Sequence, residues 1–193
     1  MIKHFIFIAF FIACFANVTK AQSFIHPGLL HSREDLERMK KEISEKKDPV
    51  YSGYQLFIQN PASQYSDRRL GPMAMVGRNP TVGQSTYDND ANAAYQNAVM
   101  WAITGEKLYA DKAIEIINAW SSTLQSITGR DAVLMAGLGP FKMVNAAEIM
   151  RYTGAGWSEA DIRQTEKHFK EIIYPVLKDF APFANGNWDA GAI

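Results

Sequence analysis

The chain has 193 residues, 20 basic and 20 acidic side chains, and 12% aromatic residues. That length fits one domain with ample aromatic carbon for a core, and a net charge of zero gives no sign of a nucleic-acid partner. The single cysteine, Cys14, excludes an internal disulfide and a thiolate metal site.

Lys3 and His4 precede an apolar run from Phe5 to Phe15, and Thr19-Lys20-Ala21 offers small residues at the two positions a signal peptidase reads. This layout predicts a secretory signal over residues 1–21, with an apolar run too short to span a bilayer. Cleavage would take Lys3 and Lys20 from the 20 basic side chains and none from the 20 acidic ones, a net of −2, and would remove Cys14 as well. The expected location is secreted or periplasmic, with no stable membrane insertion once the signal is gone. Phe11-Ile12-Ala13-Cys14 loosely resembles a lipoprotein cleavage box, which leaves an outer-membrane lipoprotein as the alternative.

His26-Pro27-Gly28-Leu29-Leu30 reads as an extended entry segment. Ser32 is placed to cap a helix, with Asp35 as its capping-box partner. Leu36, Met39 and Ile43 share one face of that helix, and Lys40, Lys41, Glu42, Lys46 and Lys47 cover the others. Pro49 is expected to end it. Tyr51, Tyr54 and Ile58 begin a second helical face that Pro61 closes. From Pro61 to about Asp90 no period survives, because Pro61, Gly71-Pro72, Gly77, Asn79-Pro80 and Gly83 interrupt it. This long loop keeps Tyr65, Met73, Met75 and Tyr87 for packing, and carries Arg68, Arg69 and Arg78, whose guanidinium forks suit carboxylates.

The clearest helix follows. Ala91, Ala94, Tyr95, Ala98, Val99, Ala102 and Ile103 recur at helical spacing, with Asp88, Asn89 and Asp90 expected ahead of it as caps. Thr104-Gly105 ends it. The next helix gathers Tyr109, Ala113, Ile116, Ile117 and Trp120. After Gly129, Gly137 and Gly139, Pro140 is expected at a helix start; Met143, Ala146, Ala147 and Met150 form its stripe and Tyr152-Thr153-Gly154 stops it. Ser158 caps a further helix with Asp161 in the box position. Ile162, Phe169, Ile173, Val176 and Phe180 form its apolar side, and Tyr174-Pro175 should kink or break it. His168 is read as a structural or surface histidine.

Two helix stops, Thr104-Gly105 and Thr153-Gly154, lie 49 residues apart, a period that fits one helical hairpin plus its loops stacked on the next. No convincing strand alternation is present. The expected fold is all-α, built from helical hairpins as an (α/α) toroid or incomplete α/α barrel. Asp189 to Ile193 reads as the opening of another helix, so residues 22–193 are expected to be the N-terminal part of a longer toroid domain.

Asn185-Gly186-Asn187-Trp188-Asp189 sets two amides, an indole and a carboxylate beside a glycine. A side-chain amide can donate to a carboxylate without titrating, and an indole offers a flat face with one donor at its edge. The same residues also suit a capped helix start, with Asn187 or Asp189 as the cap.

His26-Pro27-Gly28-Leu29-Leu30, followed by Asp35-Leu36 and Met39, resembles the opening of secreted bacterial alginate lyases and related polysaccharide lyases. The stretch Ala98 to Trp120, with Thr104-Gly105, Tyr109-Ala110, Ala113 and Trp120, resembles them too. Asn187-Trp188 resembles the segment where toroidal lyases carry the asparagine that neutralises the substrate carboxylate. The resemblance implies an α/α toroid whose concave face holds a uronic acid polymer, an anionic polysaccharide partner. It implies β-elimination, with Asn187 as the catalytic amide and Trp188, Arg78, Tyr87 and Asn89 binding substrate. It calls for no metal and no cofactor, and it places the family's catalytic histidine and tyrosine beyond Ile193, since none of His26, His31 and His168 has a site-like sequence context.

Two other functions compete. A glycoside hydrolase on an α/α barrel needs two carboxylates across the scissile bond, with Asp88, Asp90 and Asp189 as candidates. A non-catalytic glycan-binding helical module would keep Trp188 and the arginines without a base. The sequence leaves open which uronic acid is the substrate, and whether action is endo or exo.

Overall fold

The computed structural model describes residues 24–66 and 69–178. The expected signal segment, Arg68, Phe180 and the Asn185–Asp189 motif lie outside the described residues.

The described chain is mostly helical, with two short strands. Helix α1 spans Arg33–Ser44 and α2 spans Val50–Phe57. A 3-10 turn, Pro61–Ser63, and strand β1, Met75–Gly77, lead into α3, Gln84–Thr104. Then come α4, Lys107–Thr123; β2, Ser126–Thr128; and α5, Ala132–Tyr152. Helix α6, Glu159–His168, runs through a π-helical turn, Phe169–Ile173, into α7, Tyr174–Leu177. The kink expected at Tyr174-Pro175 thus takes the form of a widened turn before the proline.

The capping box forms as the sequence predicts. Ser32 Oγ accepts from the Asp35 amide at 3.1 Å, and the Ser32 amide donates to Asp35 Oδ2 at 3.2 Å. Ser158 likewise accepts from the Asp161 amide. The two predicted stops are built alike: Gly105 and Gly154 are left-handed, at φ 73° and 72°. The preceding threonines donate back four residues, Thr104 Oγ1 to Met100 O and Thr153 Oγ1 to Ile149 O. This equivalence supports the 49-residue repeat on backbone geometry.

Helices α3 and α5 form the most extensive interface. Small residues make it close: Ala91, Ala94, Ala98, Ala146 and Ala147 are buried, and Gly139 lies against Tyr87, where an added Cβ would sit 2.5 Å from the ring. Helix α4 packs on α3 through Ala113, Ile116, Ile117 and Trp120, and α6 packs beside α4. Strands β1 and β2 pair in parallel, Val76 opposite Ile127. Because each strand leads into one of the two buried helices, the N-terminal ends of α3 and α5 lie together at one end of the molecule.

Three sequence expectations change. Helix α3 starts at Gln84, so Asp88, Asn89 and Asp90 lie inside it rather than capping it. Helix α5 starts at Ala132, which puts Gly137, Gly139 and Pro140 inside a continuous helix. Two strands exist where none was expected; at three residues each they are too short for alternation to be seen.

Candidate functional site

Arg78, Asp88 and Lys142 come together at the end where α3 and α5 begin. Arg78 follows β1, and its backbone is fixed from both sides: its amide donates to Thr128 O at 3.1 Å, and its carbonyl accepts from the Asp131 amide at 3.2 Å. Gly129, at φ 95°, makes this possible, because a Cβ there would fall 2.1 Å from Arg78 O. The next residue, Asn79, sets its side-chain amide beside the Arg130 guanidinium and the Asp131 carboxylate. Asp88 is half-buried on α3. One carboxyl oxygen accepts from Gln84 Nε2 at 3.5 Å and the other finds no donor. Burial pushes its pKa up, while the Lys142 ammonium and the Arg78 guanidinium pull it down. Lys142 starts from the third turn of α5. Helical side chains lean toward the N-terminus, which brings a long ammonium back to this end.

A second feature lies along α3. Asn89, Asn92 and Gln96 line a groove of about 430 Å³, whose other wall is Asn60, the 3-10 turn and Leu70. Asp90 sits beneath it, 1% exposed. Its carboxylate accepts from Leu70 N at 2.8 Å, Gly71 N at 2.9 Å and Trp120 Nε1 at 2.7 Å. With both oxygens engaged, Asp90 is removed from the carboxylates that a hydrolase could use.

Of the expected substrate-binding residues, Arg78 and Asn89 lie in these two places. Tyr87 does not contact either surface. It is fully buried and meets Trp120 edge-on at 4.7 Å between centroids, and burial pushes its phenol up. The expectation of a substrate contact at Tyr87 is corrected to a core packing role. The ring falls on the same stripe as Ala91, Ala94 and Ala98, one turn earlier.

A further cavity, about 700 Å³, has a different character. Leu29, Leu30, Leu138, Phe141, Phe169 and Ile173 line it, with no charged group among the described residues. The entry segment crosses beside it. His26 Nδ1 pairs with Glu148 Oε1 at 2.6 Å, Leu30 N donates to Asn145 Oδ1 at 2.9 Å, and His31 Nε2 meets Tyr95 Oη at 2.5 Å. Burial lowers the His31 pKa, with Asp35 opposing. These histidines, without visible context in the sequence, bind the entry segment to α5 and α3.

A family model described as Alginate lyase matches residues 58–190. The match covers more than half of the chain and takes in everything from the end of α2 onward. The chain belongs to the alginate lyase family. At the level of that family it is a lyase with a polysaccharide substrate. No curated protein and no solved structure matches it. The span matched by the alginate lyase model includes Arg78, Asn89 and the amide groove, and also Asn187-Trp188, whose placement lies outside the described residues. Among the described residues no helix is long and apolar enough to cross a membrane.

Sequence reasoning missed Lys142, Asn92 and Gln96. The last two had a visible signal. Ser85, Asn89, Asn92 and Gln96 recur at helical spacing, opposite the apolar stripe, in a helix with no lysine, arginine or glutamate.

Proposed function

We propose that the chain cleaves a polyuronate, alginate first among them, by β-elimination, and that it works after export as part of an α/α toroid. The observation that carries this reading is the alginate lyase match over residues 58–190, which contains the Asn187-Trp188 pair. The C5 proton of a uronate is too weakly acidic to be removed while the adjacent carboxylate keeps its full charge. A donor on that carboxylate stabilises the enolate-like state. In the proposed step a base takes the C5 proton, the C4–C5 double bond forms, and the C4–O4 bond breaks with a proton delivered to O4. Asn187 donates its amide to the carboxylate and Trp188 packs beside the sugar. Arg78 and Lys142, gathered around Asp88, supply positive potential at the end of the molecule where α3 and α5 begin.

Asn187→Ala tests the assignment. Turnover, followed as the absorbance of the unsaturated product, is expected to fall about a hundredfold or more, roughly 3 kcal/mol of transition-state stabilisation. The melting temperature should stay in place. Normal turnover with a lowered melting point would make Asn187 a helix cap, whose loss costs about 1 kcal/mol of stability. New reducing ends without the unsaturated chromophore would replace the lyase reading with hydrolysis.

A further inference from the structure

The solvent-facing stripe of α3 is polar but uncharged. Asn89 is exposed, and Asn92 and Gln96 are half-buried. An ordinary solvated helix face carries lysine and glutamate, so three amides in succession along this face, with no charged side chain on the same stripe, call for another reason. The groove they line, about 430 Å³, falls in the roughly 300–1,000 Å³ range of small-molecule sites. Its walls are held from behind. Asn97, fully buried, donates to Ala62 O at 3.0 Å and to Ala93 O at 2.9 Å, tying the 3-10 turn to α3. Asp90 ties Leu70 and Gly71 to the same helix. Such a groove is organised before any ligand arrives. It also has unused capacity, since the buried amide oxygen of Gln96 finds no donor among its neighbours.

We propose that this groove is a sugar-binding subsite that takes the hydroxyl edge of a pyranose unit, apart from the reacting carboxylate. Amides offer both donors and acceptors, as a row of hydroxyls requires. Leu70, Pro61 and Ala93 offer apolar surface for the ring C–H groups. The one carboxylate in the lining, Asp90, is 1% exposed and turns its oxygens to three donors behind the groove rather than to a bound polymer. Among the described residues no cation lines the groove, so the bound unit's carboxylate is taken to point to solvent. The inference takes its ligand class from the polysaccharide lyase reading but not its chemistry.

The test uses the full chain and two probes, a mannuronate hexamer and neutral β-1,4-mannohexaose, with side-chain amide NMR and calorimetry. Both probes are expected to shift the Asn89, Asn92 and Gln96 amide signals. The double variant Asn92→Ala/Gln96→Ala should weaken both by about tenfold, with an unchanged melting temperature. In turnover it should raise KM for long polymer by the same factor while kcat, and KM for the shortest cleaved oligomer, stay unchanged. Gln96→Glu should weaken the charged hexamer more than the neutral one. Amide signals that ignore both probes, or a double variant that binds as well as the parent, would overturn the subsite. Amide shifts in a protein that cleaves no polyuronate would leave the subsite standing and remove the lyase reading instead.

Discussion

Helices α3 and α4 are two arms of one hairpin, and they treat charge in opposite ways. Helix α4 shows Lys107, Asp111 and Glu115 to solvent and keeps Lys112 half-buried, linked as Lys107–Asp111 and Lys112–Glu115 ion pairs. Helix α3 contains two charged residues, Asp88 and Asp90, and both are partly or wholly withdrawn from water. Its exposed face is made of amides. The contrast separates a surface shaped by solubility from one shaped by contact. On α4 an exposed charge such as Lys107 or Asp111 can be exchanged with little consequence, because water screens it. On α3 a charge persists only where neighbouring groups compensate its burial.

The same substitution on the two arms should therefore have very different effects. Asp90→Ala is expected to cost far more stability than any single charge change on the exposed face of α4. It strands the amides of Leu70 and Gly71 and the Trp120 indole N–H, all of which now end on this carboxylate. Buried donors without acceptors cost roughly 1–3 kcal/mol each, so a loss of about 3 kcal/mol or more is expected in urea unfolding. The groove wall at Leu70 should loosen with it, seen as faster amide exchange at Leu70 and Gly71. A loss below about 1 kcal/mol would mean that Asp90 does not hold the loop.

Much of this arrangement was legible in the sequence, for physical reasons that also explain the rest. The Thr-Gly stops and the stripes of α4 and α5 were readable because burial on one side imposes helical spacing. The sequence points to a start of α3 at Ala91 because Gln84 to Asp90 looks polar. Yet Tyr87 continues the buried stripe, and Asp90 is polar only until its three donors are counted. Reading Asp88, Asn89 and Asp90 as caps followed from residue type alone, and tertiary contacts decided otherwise. Pro140 suggests a helix start because a proline removes a backbone donor, but α5 tolerates it within a helix that begins eight residues earlier, at Ala132. Arg78 and Asn89 could be chosen by chemistry. Asn92 and Gln96 required looking at the stripe opposite the core, and Lys142 required knowing that α5 lies against α3.

His168 sharpens the comparison from the outer layer, where it is the exception. It sits at the end of α6, 4% exposed, with neither ring nitrogen partnered among the described residues. Burial lowers its pKa from 6.5 to about 4. The folded state thus favours the neutral ring, and the unfolded state binds more protons between these two values. The stability contribution is complete above pH 6.5 and is lost as pH falls toward 4, by at most about 3 kcal/mol. Urea unfolding at pH 6.5 and pH 5 isolates this window from most carboxylates. His168→Gln should flatten the difference. An unchanged slope in that variant would assign the acid sensitivity to other groups.

The smallest effect is expected at Asp111→Ala, the α4 counterpart of the Asp90 change. Asp111 and its partner Lys107 are each 56% exposed, so both keep most of their hydration whether or not they pair. Their order along the helix is the weaker one, since a lysine four residues before an acid runs against the helix dipole. The pair itself is worth about 0.3–0.5 kcal/mol at most. Losing an acid near the N-terminus of α4 adds a similar amount through the dipole, and gaining alanine's helix propensity returns part of it. The net change in urea unfolding should stay within about 0.5 kcal/mol and shrink further in 0.5 M salt, where the Debye length is only a few ångströms. A salt-independent loss above about 1 kcal/mol would show that α4 also depends on specific charge contacts, and the difference between the two arms of the hairpin would then be one of degree.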